Sequence, residues 1–265
     1  MKDILHAEFF KFKGMFKRYY IDSIAEVTSY IILFTSLTYF IVSTSEADNI
    51  IPQILIGVFI WFIGINAIAI FTFILQEEMA LGTLEQIFLT KTSLTKMLLG
   101  RAISTFIFDS IGGVVLSIST VFALVFISPA LSISDMNLIV ILNPLLILVI
   151  LVTMVGIYGF SFILAGLSII FKRISAITVI LNYMFLFIIG VILAGDTLPL
   201  ILDIFSKFLP ITWGVIVISD IFNGDTNVMN IIWLIINSIL YFVVGLYLFN
   251  KMTYIARVKG TLDQY

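Results

Sequence analysis

Six charged side chains crowd into residues 76–101, where Glu77, Glu78 and Glu85 precede Lys91, Lys96 and Arg101. Charged residues are otherwise scarce, at 11% of the chain. Carboxylates followed by cations at this spacing suit docking onto a soluble surface. They lack the partners that catalysis would need. The only histidine is His6, in a solvated or headgroup-facing position, and there is no cysteine. Disulfides, thiolate metal sites and a Ser/His/Asp set away from His6 are therefore excluded. No G-x-x-x-x-G-K-[ST] loop is present to cradle nucleotide phosphates, and no H-E-x-x-H. Gly82-Thr83 and Gly112-Gly113 resemble no phosphate loop; the first pair is expected in a short polar helix, the second inside a span. Enzymatic hydrolysis within this chain is not expected.

The elements that position these residues are built for lipid. Apolar residues reach 61%, against roughly 45–50% in ordinary soluble domains, and mean hydropathy is +1.20. A helix needs about 20 mostly apolar residues to cross a bilayer. Six stretches qualify: about Ile24–Ser43, Ile51–Leu75, Leu98–Ile127, Leu138–Phe171, Ile174–Ala194 and Val228–Phe249. Together they predict an all-α polytopic membrane protein, a single transmembrane domain over residues 1–265. The first span follows a basic, aromatic-rich segment and is expected to be kept rather than cleaved.

Basic residues set the orientation. Lys2, Lys11, Lys13, Lys17 and Arg18 precede the first span, and Lys91, Lys96 and Arg101 follow the second. Lys172 and Arg173 follow the fourth, and Lys251, Arg257 and Lys259 the sixth. Only Lys207 falls opposite, where Glu46, Asp48, Asp135, Asp196, Asp203, Asp220 and Asp225 gather. Both termini are expected in the cytoplasm.

Within residues 1–22, Leu5, Phe9, Phe12, Phe16 and Tyr19 step by fours and threes along one helical face. Lys11, Lys13, Lys17 and Arg18 lie off that stripe. This pattern suits a helix lying in the membrane interface, or one packed on a cytosolic domain. Inside the spans, Asp109 stands out, eight residues past Arg101 and hence roughly 12 Å further along a helix. An ionisable group at such depth is either a structural partner or part of a substrate route. Asn66, Asn182 and Asn237 are expected to tie helices together, and Pro144 to mark a helix entrance. Residues 195–227 break the pattern. Leu200–Phe208 and Leu209–Ser219 are each too short to cross, so two short helices on or in the outer leaflet are expected. Trp213 would lie at the interface.

The arrangement resembles the membrane subunit of a bacterial ABC-2 type transporter. The likeness rests on the basic amphipathic helix before the first span and on Glu78-x-x-x-Gly82-Thr83-Leu84-Glu85 after the second. A third likeness is Leu209-Pro210-x-x-Trp213 before the last span, similar to that family's extracellular re-entrant region. One departure is Thr92-Ser93, where the family often has a proline.

The resemblance implies an exporter of a hydrophobic or amphipathic substrate (a peptide, lipid or drug) in the bacterial cytoplasmic membrane. Two such subunits, identical or related, would pair with two soluble ATPase subunits that bind ATP and Mg. Residues 77–96 would form the coupling region, with Glu77, Glu78, Leu81, Gly82, Thr83, Leu84 and Glu85 facing the ATPase. Its carboxylates would meet basic groups there, and Leu81 and Leu84 would fill apolar pockets. Gly57, Gly64, Gly156, Gly159 and Gly166 are candidates for close approach to the second membrane subunit. Partners are thus the ATPase, a second permease and the bilayer, with no nucleic acid. Two other readings remain open: a secondary transporter working without ATP, and a membrane immunity or binding protein.

Overall fold

The computed structural model describes all residues except 1, 45–49, 90–92, 128–142, 172–173, 194–198, 226 and 259–265. The side chains of Phe12, Phe16 and Glu85, and the charged flanks Glu46, Asp48, Lys91, Asp135, Lys172, Arg173, Asp196 and Lys259, also lie outside the described set. Every regular element among the described residues is a helix: α1 (Lys2–Arg18), α2 (Tyr20–Thr44), α3 (Ile50–Ala80), α4 (Leu84–Leu89), α5 (Leu94–Ile127), α6 (Pro144–Phe171), α7 (Ser175–Leu193), α8 (Leu200–Lys207), α9 (Pro210–Phe222) and α10 (Val228–Val258).

Helices α2, α3, α5, α6 and α10 are each long and apolar enough to cross a membrane. The chain is therefore an all-helical protein of the polytopic membrane type. The expected fifth span is α7, a shorter apolar helix. The expected fourth span begins at Pro144 rather than Leu138 in the described chain; residues 138–142 lie outside it. The reason for that start is local. Asn143 Oδ1 accepts the Leu145 N–H at 3.0 Å, and proline at the first helical position loses no needed donor.

Helix α3 is the core. Of its most apolar window 78% is buried, because it is hydrophobic all round and packs against α2, α5, α6, α7 and α9. Phe71, Ile60, Ile63 and Ile68 are fully enclosed, and the Phe71 ring meets Phe162 of α6 at 4.8 Å. Helix α10 is the opposite case: only 17% of its window is buried, along one seam against α6.

That seam is made by small residues. A Cβ on Gly159 would strike the α10 backbone at Tyr241 and Phe242, and one on Gly245 would strike the Gly159 carbonyl. Gly156 faces Ser238, and Gly166 faces Met252 and Phe249. These glycines therefore close the chain on itself, and are not the partner-facing set expected above. Gly64 likewise faces Ile157 and Ile211, and Gly57 is buried beside Phe34 and Trp61 in a small apolar hollow between α2, α3 and α7. Backbone contact this close maximises dispersion where lipid offers no hydrophobic gain for association.

Helices α8 and α9 meet at a 104° bend, as two short elements in place of a span. Pro210 starts α9, and Thr212 Oγ1 donates back to the Ser206 carbonyl at 2.5 Å. Helix α9 buries Ile211, Val215, Val217 and Ile218 among α3, α6, α7 and α10. By contrast α8 leaves Leu200, Ile201, Ile204 and Phe205 exposed. Trp213 donates Nε1–H to the Lys207 carbonyl at 3.0 Å and stacks on Trp233 at 5.8 Å. Tyr241 hydroxyl donates to the Phe208 carbonyl, and Gln53 and Asn230 hold Ser219 and Asp220. These contacts fasten the α8–α9 bend to the starts of α3 and α10.

Candidate functional site

The opposite end of the bundle carries the polar island. Helix α3 does not stop at its apolar limit but runs on through Gln76, Glu77 and Glu78 to Ala80. Gly82 ends it with φ +67°, a conformation open to glycine because a Cβ would clash with the carbonyl. The Gly82 N–H donates to the Met79 carbonyl at 3.1 Å and the Thr83 N–H to the Glu78 carbonyl at 3.0 Å. This is the Schellman pattern, which satisfies the last helical carbonyls. Gly82-Thr83 is thus a helix stop between α3 and α4, not part of a short polar helix. Glycine at such a stop is a signal the sequence already carried.

The expected coupling residues divide into two groups. Glu78 is turned inward: its carboxylate accepts the Thr83 hydroxyl and lies 3.8 Å from Lys11 Nζ of α1. Leu84 is 2% exposed and belongs to the core, so it cannot fill a pocket on a partner. Leu81, at 68%, and Leu89, at 88%, are the apolar side chains turned outward. Gly82 and Gln86 are also exposed, and Glu77 is half-buried. Sequence reasoning passed over Leu89, although it closes a short apolar helix that is polar at Glu85 and Gln86.

The rest of this end braces the elbow. Arg257, in the last turn of α10, sits over the Phe88 ring at 5.0 Å, a favourable cation–π contact. Thr95 Oγ1 donates to Asn250 Oδ1 at 2.7 Å, joining α5 to α10. Helix α1 packs on α5, with Phe9 at 5.1 Å from Phe108. Lys13 and Lys17 are exposed. Tyr19 is not on the α1 face as expected. It occupies the break before α2, where its carbonyl accepts the Ser23 N–H at 3.1 Å.

A second polar group lies within the bundle around Asp109. Asn66 Nδ2 of α3 donates to Asp109 Oδ1 at 3.4 Å. Thr105, one turn earlier on α5, has its hydroxyl 3.4 Å from that of Tyr158 on α6. Glu26 of α2 accepts the Tyr30 hydroxyl at 3.2 Å. Sequence reasoning missed Glu26, though a lone Glu four residues before Tyr30 inside the first apolar run was visible. Asn66 joins α3 to α5 as expected. Asn182 and Asn237 do not act alike: their side-chain oxygens are buried without a hydrogen-bond partner.

Among the described residues, no three His, Asp or Glu side chains converge in a way that would hold a metal ion. No protein-family model matches the chain, and no curated protein or solved structure matches it either. The class that fold and sites define is an all-helical, membrane-type protein with a polar elbow at one end and a bent helix pair at the other.

Proposed function

We propose that this chain is the membrane subunit of an ATP-driven exporter of the ABC-2 type, gripped at the α3–α4 elbow by a separate soluble ATPase. The observation that carries this reading is mechanical. The elbow is the direct continuation of α3, the most buried helix, and its Schellman turn, inward Glu78 and buried Leu84 make the two one body. Leu81, Gln86 and Leu89 face outward from it. A push on those side chains reaches the packed centre of the bundle rather than a loose loop. ATP and Mg belong to the partner subunit, two membrane subunits work together, and the cargo is hydrophobic or amphipathic, moved outward. The elbow, α1 and the end of α10 form the cytoplasmic side of a bacterial inner membrane in this reading, with the α8–α9 bend outside.

The test is retention of the ATPase by Leu81→Asp with Leu89→Asp. Burying one leucine is worth about 1.5–3 kcal/mol, so losing two weakens binding by at least about tenfold, while the protein still inserts. Unchanged ATPase retention by the double variant would refute the assignment. A second reading, ion-coupled transport without ATP, is favoured by one observation: Asp109 is an ionisable group within a long apolar helix, held by the Asn66 amide at 3.4 Å. It requires that no ATPase co-purify.

A further inference from the structure

We propose that α8 is where a second copy of this chain docks, with Asp203 of each copy meeting Lys207 of the other near the middle of the bilayer. The inference deepens the proposed function: it rests on a second membrane subunit, and not on the ATPase.

Helix α9 is fastened near the starts of α3 and α10 by its C-terminal residues, Ser219 to Gln53 at 2.9 Å and Asp220 to Asn230 at 2.7 Å. Its N-terminal residues lie far below that level. Ile211 faces Gly64, fourteen residues into α3. A Cβ on Gly156 would meet both Pro210 and Ser238, and Ser238 is ten residues into α10. The Phe208 carbonyl accepts the hydroxyl of Tyr241, thirteen residues into α10. At 1.5 Å per residue these are depths of about 21, 15 and 20 Å, against a hydrocarbon layer of roughly 30 Å. The corner between α8 and α9 thus points inward to about mid-depth. The two axes turn by 104° there, so α8 leaves the bundle nearly parallel to the membrane plane.

At that depth α8 carries charge on an uncovered face. Ser206 is its one buried residue, and it packs chiefly against α9. Leu200, Asp203, Ile204 and Lys207 share one face by their three- and four-residue spacing. Lys207 Nζ lies 2.8 Å from Asp203 Oδ2, with the side chains 46% and 38% exposed. Charges at the centre of a bilayer are costly and are covered by protein or by water. A closed pair in one membrane has its twofold axis along the membrane normal, since both copies keep the same orientation. Such an axis reverses a helix lying in the plane. Two α8 helices therefore meet antiparallel, and each presents its Asp203–Lys207 edge in reverse order to the other. Each carboxylate gains a second cation and each ammonium a second carboxylate. The face is its own complement, which selects a second copy over an unrelated chain.

The test is cross-linking of the full chain in native membranes, made clean by the absence of native cysteine. In the antiparallel register the axis passes beside Phe205. The two copies of residue 204 are then offset by about 3 Å along the helices, and those of residue 200 by about 15 Å. A short membrane-permeant bismaleimide should link Ile204→Cys into a band of twice the monomer mass. It should leave Leu200→Cys, though more exposed, largely unlinked. Equal linking of both, as from random encounter, overturns the proposal. So does a link to a different membrane subunit, or no link at Ile204→Cys, whether or not that thiol reacts with a small water-soluble maleimide. In the Ile204→Cys background, Asp203→Lys and Lys207→Asp should each lose the link, because like charges then face one another. Co-expression of the two should restore it. Linking unaffected by both changes, or not restored by co-expression, overturns the reciprocal pairing. The elbow variant Leu81→Asp with Leu89→Asp should keep the link, so this inference and the ATPase reading fail separately.

Discussion

Adding one methyl group at Gly159 should destabilise the bundle strongly, because its Cβ would strike the backbone of α10. A Cβ there would lie 2.5 Å from the Phe242 Cα, where ordinary contact begins at 3.4 Å. Helix α10 must then withdraw by about 1 Å, and a gap of 0.5–1 Å forfeits roughly a quarter to a half of each contact's attraction. The atoms struck are backbone, so no rotamer change relieves the clash. Overpacking typically costs about 1–3 kcal/mol, and this site should fall at the upper end. Gly14→Ala is the control: nothing lies within 4 Å of its Cβ, and alanine in a helix interior gains about 0.5–1 kcal/mol over glycine. Unfolding in mixed micelles titrated with a denaturing detergent reads both. Gly159→Ala should unfold well before the wild type, and Gly14→Ala at the same point or later. A Gly159→Ala midpoint equal to that of the wild type would show that the α6–α10 seam does not hold the bundle.

Two further outcomes follow from the same geometry. The chain has no native cysteine, so Asn223→Cys, beyond the α9 end, and Ser93→Cys, before α5, should label from opposite sides; both positions are exposed. An impermeant reagent on intact cells should reach Asn223→Cys alone, and labelling of Ser93→Cys would overturn the orientation. Leu84→Asp, unlike Leu81→Asp, should prevent accumulation of folded protein, because it places a charge at a position 2% exposed in the core.

Length and hydropathy made the long helices legible, because a bilayer demands about 20 apolar residues whatever they pack against. Local rules also read well at Pro144, the proline expected to mark a helix entrance, which opens α6. The bent pair α8–α9 was readable because neither half could cross. What failed was facing. In a chain that is apolar on every side, periodicity no longer separates core from lipid, so the glycines of α6 read equally well as a partner surface. Leu84 and Leu81 are three residues apart in one polar island, yet the turn at Gly82 sends one inward and one outward. The pairing of Asn66 with Asp109 was hidden because the two are distant in sequence and brought together only by packing of α3 on α5.

The central claim is that this chain works as one membrane subunit of a paired, ATP-driven complex. Native mass measurement of the complex purified gently from its own membrane tests it most directly. The account predicts two soluble ATPase subunits with two membrane subunits, either two copies of this chain or one copy with a related permease. The paired form should be symmetric or nearly so, with the same surface used on both sides. A stable particle holding one copy of this chain, no second membrane subunit and no ATPase would contradict it.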